Sequence, residues 1–201
     1  MNLLEAKAKL LALKIDVLQT TDAAAALNIS IDHASQILRR LCKAKFFIQL
    51  ARGKWAFHEN INPYEIPEYL TSPAPSYISV HSALYHHGMI SQIPATIYAV
   101  SLARTRKYKT PLGHISIHHI QPNFFFGFET LPGSIAKIAT AEKALLDFFY
   151  LSSARSHLFS ALPELELPQN FKTKEALKMI EKIESPKIRS RVHEKFLWYV
   201  R

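Results

Sequence analysis

The sequence reads as an α+β protein in two parts, on three observations. An amphipathic stretch, SIDHASQILRRLCKAKFF, runs directly into two short β-prone segments around Arg52-Gly53. Prolines at 63, 67, 73 and 75 then interrupt the chain. Beyond them, short apolar and β-branched runs are bracketed by helix-like stretches, the pattern of a small sheet covered by helices on one face.

The first element is a helix in MNLLEAKAKLLALK. Thr21 is placed to cap a second, short helix through Asp22, Ala23, Ala26 and Leu27. Asn28 tolerates the left-handed backbone of a tight turn, and Ser30 is an N-cap acceptor for a third helix. At about 100° per residue, Ile31, Ala34, Ile37, Leu38, Leu41, Cys42 and Ala44 fall in one half of that helix. Asp32, His33, Ser35, Gln36, Arg39, Arg40 and Lys43 fall in the other. Two helices joined by so few residues have helix-turn-helix spacing. Residues 47–50 and 54–57 then form a hairpin, with Gly53 free to take a positive φ at its turn. Residues 1–58 therefore read as a winged helix-turn-helix domain.

Charge gives that domain a partner. From residue 33 to residue 58 there are six cations, Arg39, Arg40, Lys43, Lys45, Arg52 and Lys54, and no carboxylate. His33, Gln36, Arg40 and Lys43 share a sector of about 80°, narrow enough to face one groove of a duplex. Gln36 and Arg40 suit adenine and guanine edges, while Arg39, Lys43, Lys45, Arg52 and Lys54 suit phosphates, the last two at the tip of the ribbon. The formal charge of +9 divides as +5 over residues 1–58 and +4 over the rest. Double-stranded DNA is the expected partner.

Composition excludes other classes. No apolar run approaches the roughly 20 residues of a membrane span, and Glu5, Lys7 and Lys9 break any signal-peptide core at the start. Cys42 is the single cysteine, which excludes an intrachain disulfide framework and suits a reducing cytoplasm. It borders the apolar face of the third helix, where a small packing residue is expected.

Residues 59–76, ENINPYEIPEYLTSPAPS, read as a proline-rich linker without regular structure. Residues 77–201 read as an α+β domain. Ser79 is expected to cap VHSALYHHG, which Gly88 ends. Strands are expected at 96–103, on either side of the TPLG turn within 106–120, at 124–131 and at 134–139. Thr140 caps ATAEKALLDFFYL, with Ala141, Leu145, Phe148 and Phe149 as its apolar stripe. Two helices close the chain, at 174–183 after Thr173 and at 186–199 with Pro186 at the first helical position.

No catalytic constellation emerges. Between Glu68 and Glu129 there is no acid, although His81, His86, His87, His114, His118 and His119 lie there. That stretch supplies no carboxylate to a magnesium-dependent nuclease. Glu142 and Asp147 sit about 140° apart on their helix. In a strand, His114 and His118 share a face, but no cysteine or acid nearby completes a tetrahedral zinc site, and polar residues on a solvent face explain the spacing. No G-x-S-x-G elbow or phosphate-cradling glycine loop is present. No enzymatic activity, metal or cofactor is expected. A second basic cluster, Arg104, Arg106, Lys107 and Lys109, lies inside the acid-free stretch as a candidate second contact or partner-facing surface.

Three segments together, the Gly53-Lys54-Trp55 wing, YISVHSALYHHGM at 77–89 and IATAEKALLDFFY at 138–150, give the chain a family resemblance. It resembles the AbiEi-type antitoxins of abortive-infection (type IV toxin-antitoxin) systems over nearly its whole length. The most specific markers are Ser82-Ala83-Leu84, His87-Gly88 and the helix carrying Glu142 and Asp147. Trp55 stands where the resemblance leads one to expect Tyr. The resemblance implies a transcriptional autorepressor that binds repeats in its own promoter, in a phage-defence operon. It also implies that the second domain antagonises a nucleotidyltransferase-like toxin, with or without direct binding. Two alternatives remain open: a nucleic-acid-processing enzyme targeted by the winged helix, and a plain transcriptional regulator without a toxin.

Overall fold

The computed structural model describes residues 2–57, 61–153 and 164–200. The chain is mixed α+β, with eight α-helices and two sheets among the described residues. The N-terminal part comprises α1 (Leu3–Leu11), β1 (Val17–Gln19), α2 (Thr20–Leu27), α3 (Ile31–Lys43), β2 (Phe47–Ala51) and β3 (Lys54–Phe57). β3 lies between β1 and β2 and runs antiparallel to both.

Local chemistry explains these boundaries. The Asn2 side chain accepts from the Glu5 amide at 2.8 Å while Glu5 accepts from the Asn2 amide at 3.0 Å, a reciprocal cap for α1. Asn28 ends α2 in the left-handed region (φ 52°), and Ser30 Oγ accepts from the His33 amide at 3.3 Å to start α3. Thr21 does not cap α2. Asp22 does so from inside, accepting from the Gln19 amide at 2.7 Å, and the neighbouring Thr20 hydroxyl accepts from Trp55 Nε1 at 2.9 Å. Ala34, Ile37, Leu38 and Leu41 of α3 are buried as the angular reading requires. Ile31 and Ala44 instead lie exposed at the two ends, where the helix overhangs its support.

The proline-rich segment is more ordered than its composition suggests. It carries α4 (Ile66–Thr71), with Pro67 in the first turn where a missing N–H costs nothing, and its last residue opens β4 (Ser76–Ile78). The expected boundary at residues 58–60 lies outside the described residues. Pleating makes the hairpin of β2 and β3 a shared wall. Phe47 and Trp55 join the core with α1, α2 and α3, whereas Ile48, Leu50 and Ala56 join the core of the larger C-terminal part.

That part adds α5 (Val80–His86), β5 (Thr96–Ser101), β6 (Arg106–Thr110), β7 (Gly113–His119), β8 (Phe128–Thr130), β9 (Lys137–Ala139), α6 (Ala141–Ser153), α7 (Thr173–Glu181) and α8 (Pro186–Val200). The sheet order is β6-β7-β5-β4-β9-β8, which leaves β6 and β8 as edges. β5 pairs with β7, and β4 with β9, in parallel; the remaining pairs are antiparallel. The expected strand at 124–131 is shorter, because Pro122–Phe124 forms a 3-10 turn before β8. Ile115, Ser116, Ile117 and His118 are buried in succession, so β7 is covered on both faces rather than one. α6 is likewise buried all round from Glu142 to Leu151, a central helix rather than one with a single apolar stripe.

Candidate nucleic-acid interface

α3 packs its apolar face on α1 and α2 and leaves the other face bare. His33, Gln36, Arg39, Arg40 and Lys43 are all exposed on it, with Lys45 just beyond its C-terminal end. Asp32 in the first turn is the only acid on this helix. Lys45 has φ 60° and breaks the helical path directly before β2. At the β2–β3 turn Arg52 is exposed and Gly53 takes φ 78°, a conformation that costs glycine little. The Gly53 carbonyl accepts from the Thr20 amide at 3.0 Å, so the turn is fixed to the start of α2.

Lys54 departs from its expected place. It is half-buried and points away from the ribbon tip, donating from Nζ to the carbonyls of Tyr69 and Leu70 at the C-terminal end of α4. Those carbonyls carry the negative end of the helix dipole, a natural site for a cation. Burial lowers the pKa of this ammonium from its usual range. Tyr69 in turn donates from its hydroxyl to Asp16 at 3.3 Å, and its pKa is pushed up to about 12 by burial, then by Asp16 and Glu65. Seven of the eight expected DNA-facing residues are exposed, and the eighth is a tie to α4.

The second basic cluster lies on and beside the edge strand β6. Arg104, Arg106, Lys107 and Lys109 are all exposed. Lys107 pairs with Ser116 and Lys109 with His114, so both point to the face of the sheet that carries Ser116 and His118. Arg106 points to the other face, its guanidinium 5.0 Å from the ring centroid of Tyr108. The cluster is one edge with two faces.

The histidines expected on a solvent face divide. His114 and His119 are exposed, whereas His118 is 3% exposed, with Nε2 2.9 Å from Ser116 Oγ. The His118 ring stacks on Tyr98, and Tyr98 touches His81 of α5. Burial, then the nearby Lys107 and His81, lower the His118 pKa to about 4.

The sequence reading missed a polar centre in the core. Lys143 donates to Asp147 one turn later, both with fully buried side chains. Asp147 also accepts from Tyr77 Oη at 2.9 Å and from Ser79 Oγ at 2.7 Å. The Lys143 ammonium lies 3.7 Å from the Phe124 ring centroid. Gly127 (φ 74°) completes the enclosure, because a Cβ there would sit 3.1 Å from the Lys143 side chain. Burial pushes the Asp147 carboxyl up and the Lys143 ammonium down, against their mutual attraction. Ser79 therefore spends its hydroxyl on Asp147 and makes no side-chain cap for α5, while Val80 is held at φ 53°, a strained setting for a β-branched residue. The sequence carries a signal for this centre: opposite charges four apart, Lys143 and Asp147, in a largely apolar helix. Glu142 is occupied elsewhere, accepting from the Lys172 amide at 2.8 Å. Among the described residues no group of three His, Cys, Asp or Glu is arranged to hold a metal ion.

Burial raises the pKa of the half-buried Cys42 thiol, as for a packing residue. No helix among the described residues is long and apolar enough to cross a membrane. No known family model matches the chain, and no curated protein is significantly similar to it.

Proposed function

We propose that the N-terminal part is a winged helix-turn-helix that binds double-stranded DNA, and that the chain is an antitoxin and transcriptional autorepressor. The carrying observation is the bare face of α3, where five polar or basic side chains from His33 to Lys43 stand clear of the core in a stretch without a carboxylate. α3 is the recognition helix in this reading, with Gln36 and Arg40 at base edges and His33, Arg39, Lys43, Lys45 and Arg52 at flanking positions and phosphates. The tie of Gly53 and Trp55 to Thr20 supports it by holding the Arg52 turn beside the helix pair.

The antitoxin role rests on the resemblance carried by residues 77–89 and 138–150. Those segments form β4, α5 and α6, whose side chains are mostly buried, so they bear on the fold of the second part. A surface that antagonises a nucleotidyltransferase-like toxin is better sought among exposed groups, and Arg104, Arg106, Lys107 and Lys109 are the candidates. The same groups could lie along DNA beside the main site.

The test of DNA binding is a gel shift at fixed salt with the chain's own upstream region. Arg40→Ala weakens specific binding by about 1–3 kcal/mol and relaxes preference at one base. Lys43→Ala and Arg52→Ala weaken specific and non-specific binding alike and reduce the salt dependence. Full operator affinity in an Arg40→Ala/Arg52→Ala double variant would refute the docking. A nucleotidyltransferase-like reading frame next to this one, and growth rescue on coexpression, test the antitoxin half.

A further inference from the structure

β6 ends one side of the larger sheet and pairs with β7 alone. β2 packs near it but pairs only with β3, so the outer amides and carbonyls of β6 have no partner strand. Arg106, Lys107 and Lys109 are exposed along this edge, and Tyr108 is half-buried. Their cross-strand neighbours on β7 are Ile117, Ser116, Ile115 and His114, none of them a carboxylate. No salt bridge among the described residues reaches any of the three cations.

We propose that this edge takes an extended acidic segment of a partner protein as an added antiparallel strand. Side chains alternate across a strand, so Lys107 and Lys109 lie on one face of the sheet and Arg106 on the other. A DNA duplex laid against the sheet reaches one of those faces, whereas a strand added in its plane presents side chains to both. The edge also carries carbonyls as well as amides. Phosphate oxygens only accept hydrogen bonds, while a peptide backbone supplies donors and acceptors together. A second copy of β6 does not fit, because it sets cations opposite cations. In register, carboxylates stand opposite Lys109, Lys107 and Arg106, and a β-branched side chain stands opposite Tyr108. The added segment therefore reads acid, β-branched, acid, acid. The inference needs neither the DNA-binding nor the antitoxin reading.

Titration of the isotopically labelled full chain with the synthetic peptide Thr-Thr-Glu-Val-Glu-Glu-Thr-Thr, followed by backbone amide NMR, tests it. Saturable shifts concentrated in β6 are expected. Binding to Lys107→Glu/Lys109→Glu is expected to be about tenfold weaker, with the amide spectrum away from the edge unchanged. N-methylation of the peptide separates strand addition from charge attraction, since alternate residues turn their amides to the same side. Methylating one alternate set abolishes binding, and methylating the other leaves it intact. Equal effects of the two sets overturn the proposal, as does an absence of shifts in β6 at millimolar peptide. Shifts in β6 with a mixed-sequence DNA duplex and none with the peptide would assign the edge to DNA instead.

Discussion

The ammonium of Lys54 donates to the main-chain carbonyl of Tyr69, joining the start of β3 to the last turn of α4. A residue whose sequence context suits a phosphate contact is thereby turned to the opposite duty. Lys54→Ala is expected to lower stability by about 1–2 kcal/mol, the scale of a charged hydrogen bond to a carbonyl. The salt dependence of DNA binding should stay close to that of the unaltered chain, in contrast to Arg52→Ala. Denaturant unfolding and salt-titrated gel shifts read the two effects separately.

The two faces of β6 allow a sharper experiment than mutating the cluster as a block. Arg106→Glu alters the face shared with Tyr108, whereas a Lys107→Glu/Lys109→Glu pair alters the face shared with Ser116 and His118. All three side chains are exposed, so each variant should fold normally. If the cluster serves two partners, one variant will reduce growth rescue in toxin coexpression and the other DNA affinity. Wild-type behaviour of both variants in both assays would show an inert edge.

The buried pair of Lys143 and Asp147 should be intolerant of single changes. Asp147→Ala strands an ammonium and removes the acceptor of Tyr77 and Ser79, an effect on the order of 3–5 kcal/mol. Combining it with Lys143→Met should recover part of that loss by removing the unpaired charge. The measurement is a double-mutant cycle by chemical denaturation; strict additivity would mean that the two groups are not coupled.

Acid should destabilise the chain through His118. Burial, then Lys107 of β6 and His81 of α5, lower its pKa to about 4 in the fold, against an ordinary value near 6.5. Between those values the unfolded chain takes up a proton that the folded chain refuses. The contribution is complete above about pH 6.5 and is lost as pH falls, with a slope of up to about 1.4 kcal/mol per pH unit. His118→Asn should flatten that limb of the stability curve, and an unchanged acid slope would exclude His118 as its source.

The long periodic elements were legible in the sequence. α3 announced itself by complete separation of apolar and polar residues and by its Ser30 cap, and the hairpin by Gly53 between β-prone runs. The two-faced edge, the clamp at Lys54 and the buried centre were not, because each depends on distant partners. β1 and β4 have three residues each, too few to show an alternation. α4 hid behind prolines that a first turn accepts. α6 read as a helix with one apolar stripe, and only packing against α5, α7, α8 and β9 shows that it is buried all round from Glu142 to Leu151.

The edge position of β6 gives its cations a further consequence. β6 is an edge of its sheet with β2 packed near it, and the backbone amides and carbonyls this leaves unpaired are open to an extended chain. Arg106, Lys107 and Lys109 make such an approach repulsive between identical molecules, and so act as gatekeepers against edge-to-edge aggregation. Neutral β-forming replacements here would invite insoluble strand stacking and mimic loss of function. Charge reversal keeps the repulsion between copies, so it is the substitution that tests recognition without also testing solubility.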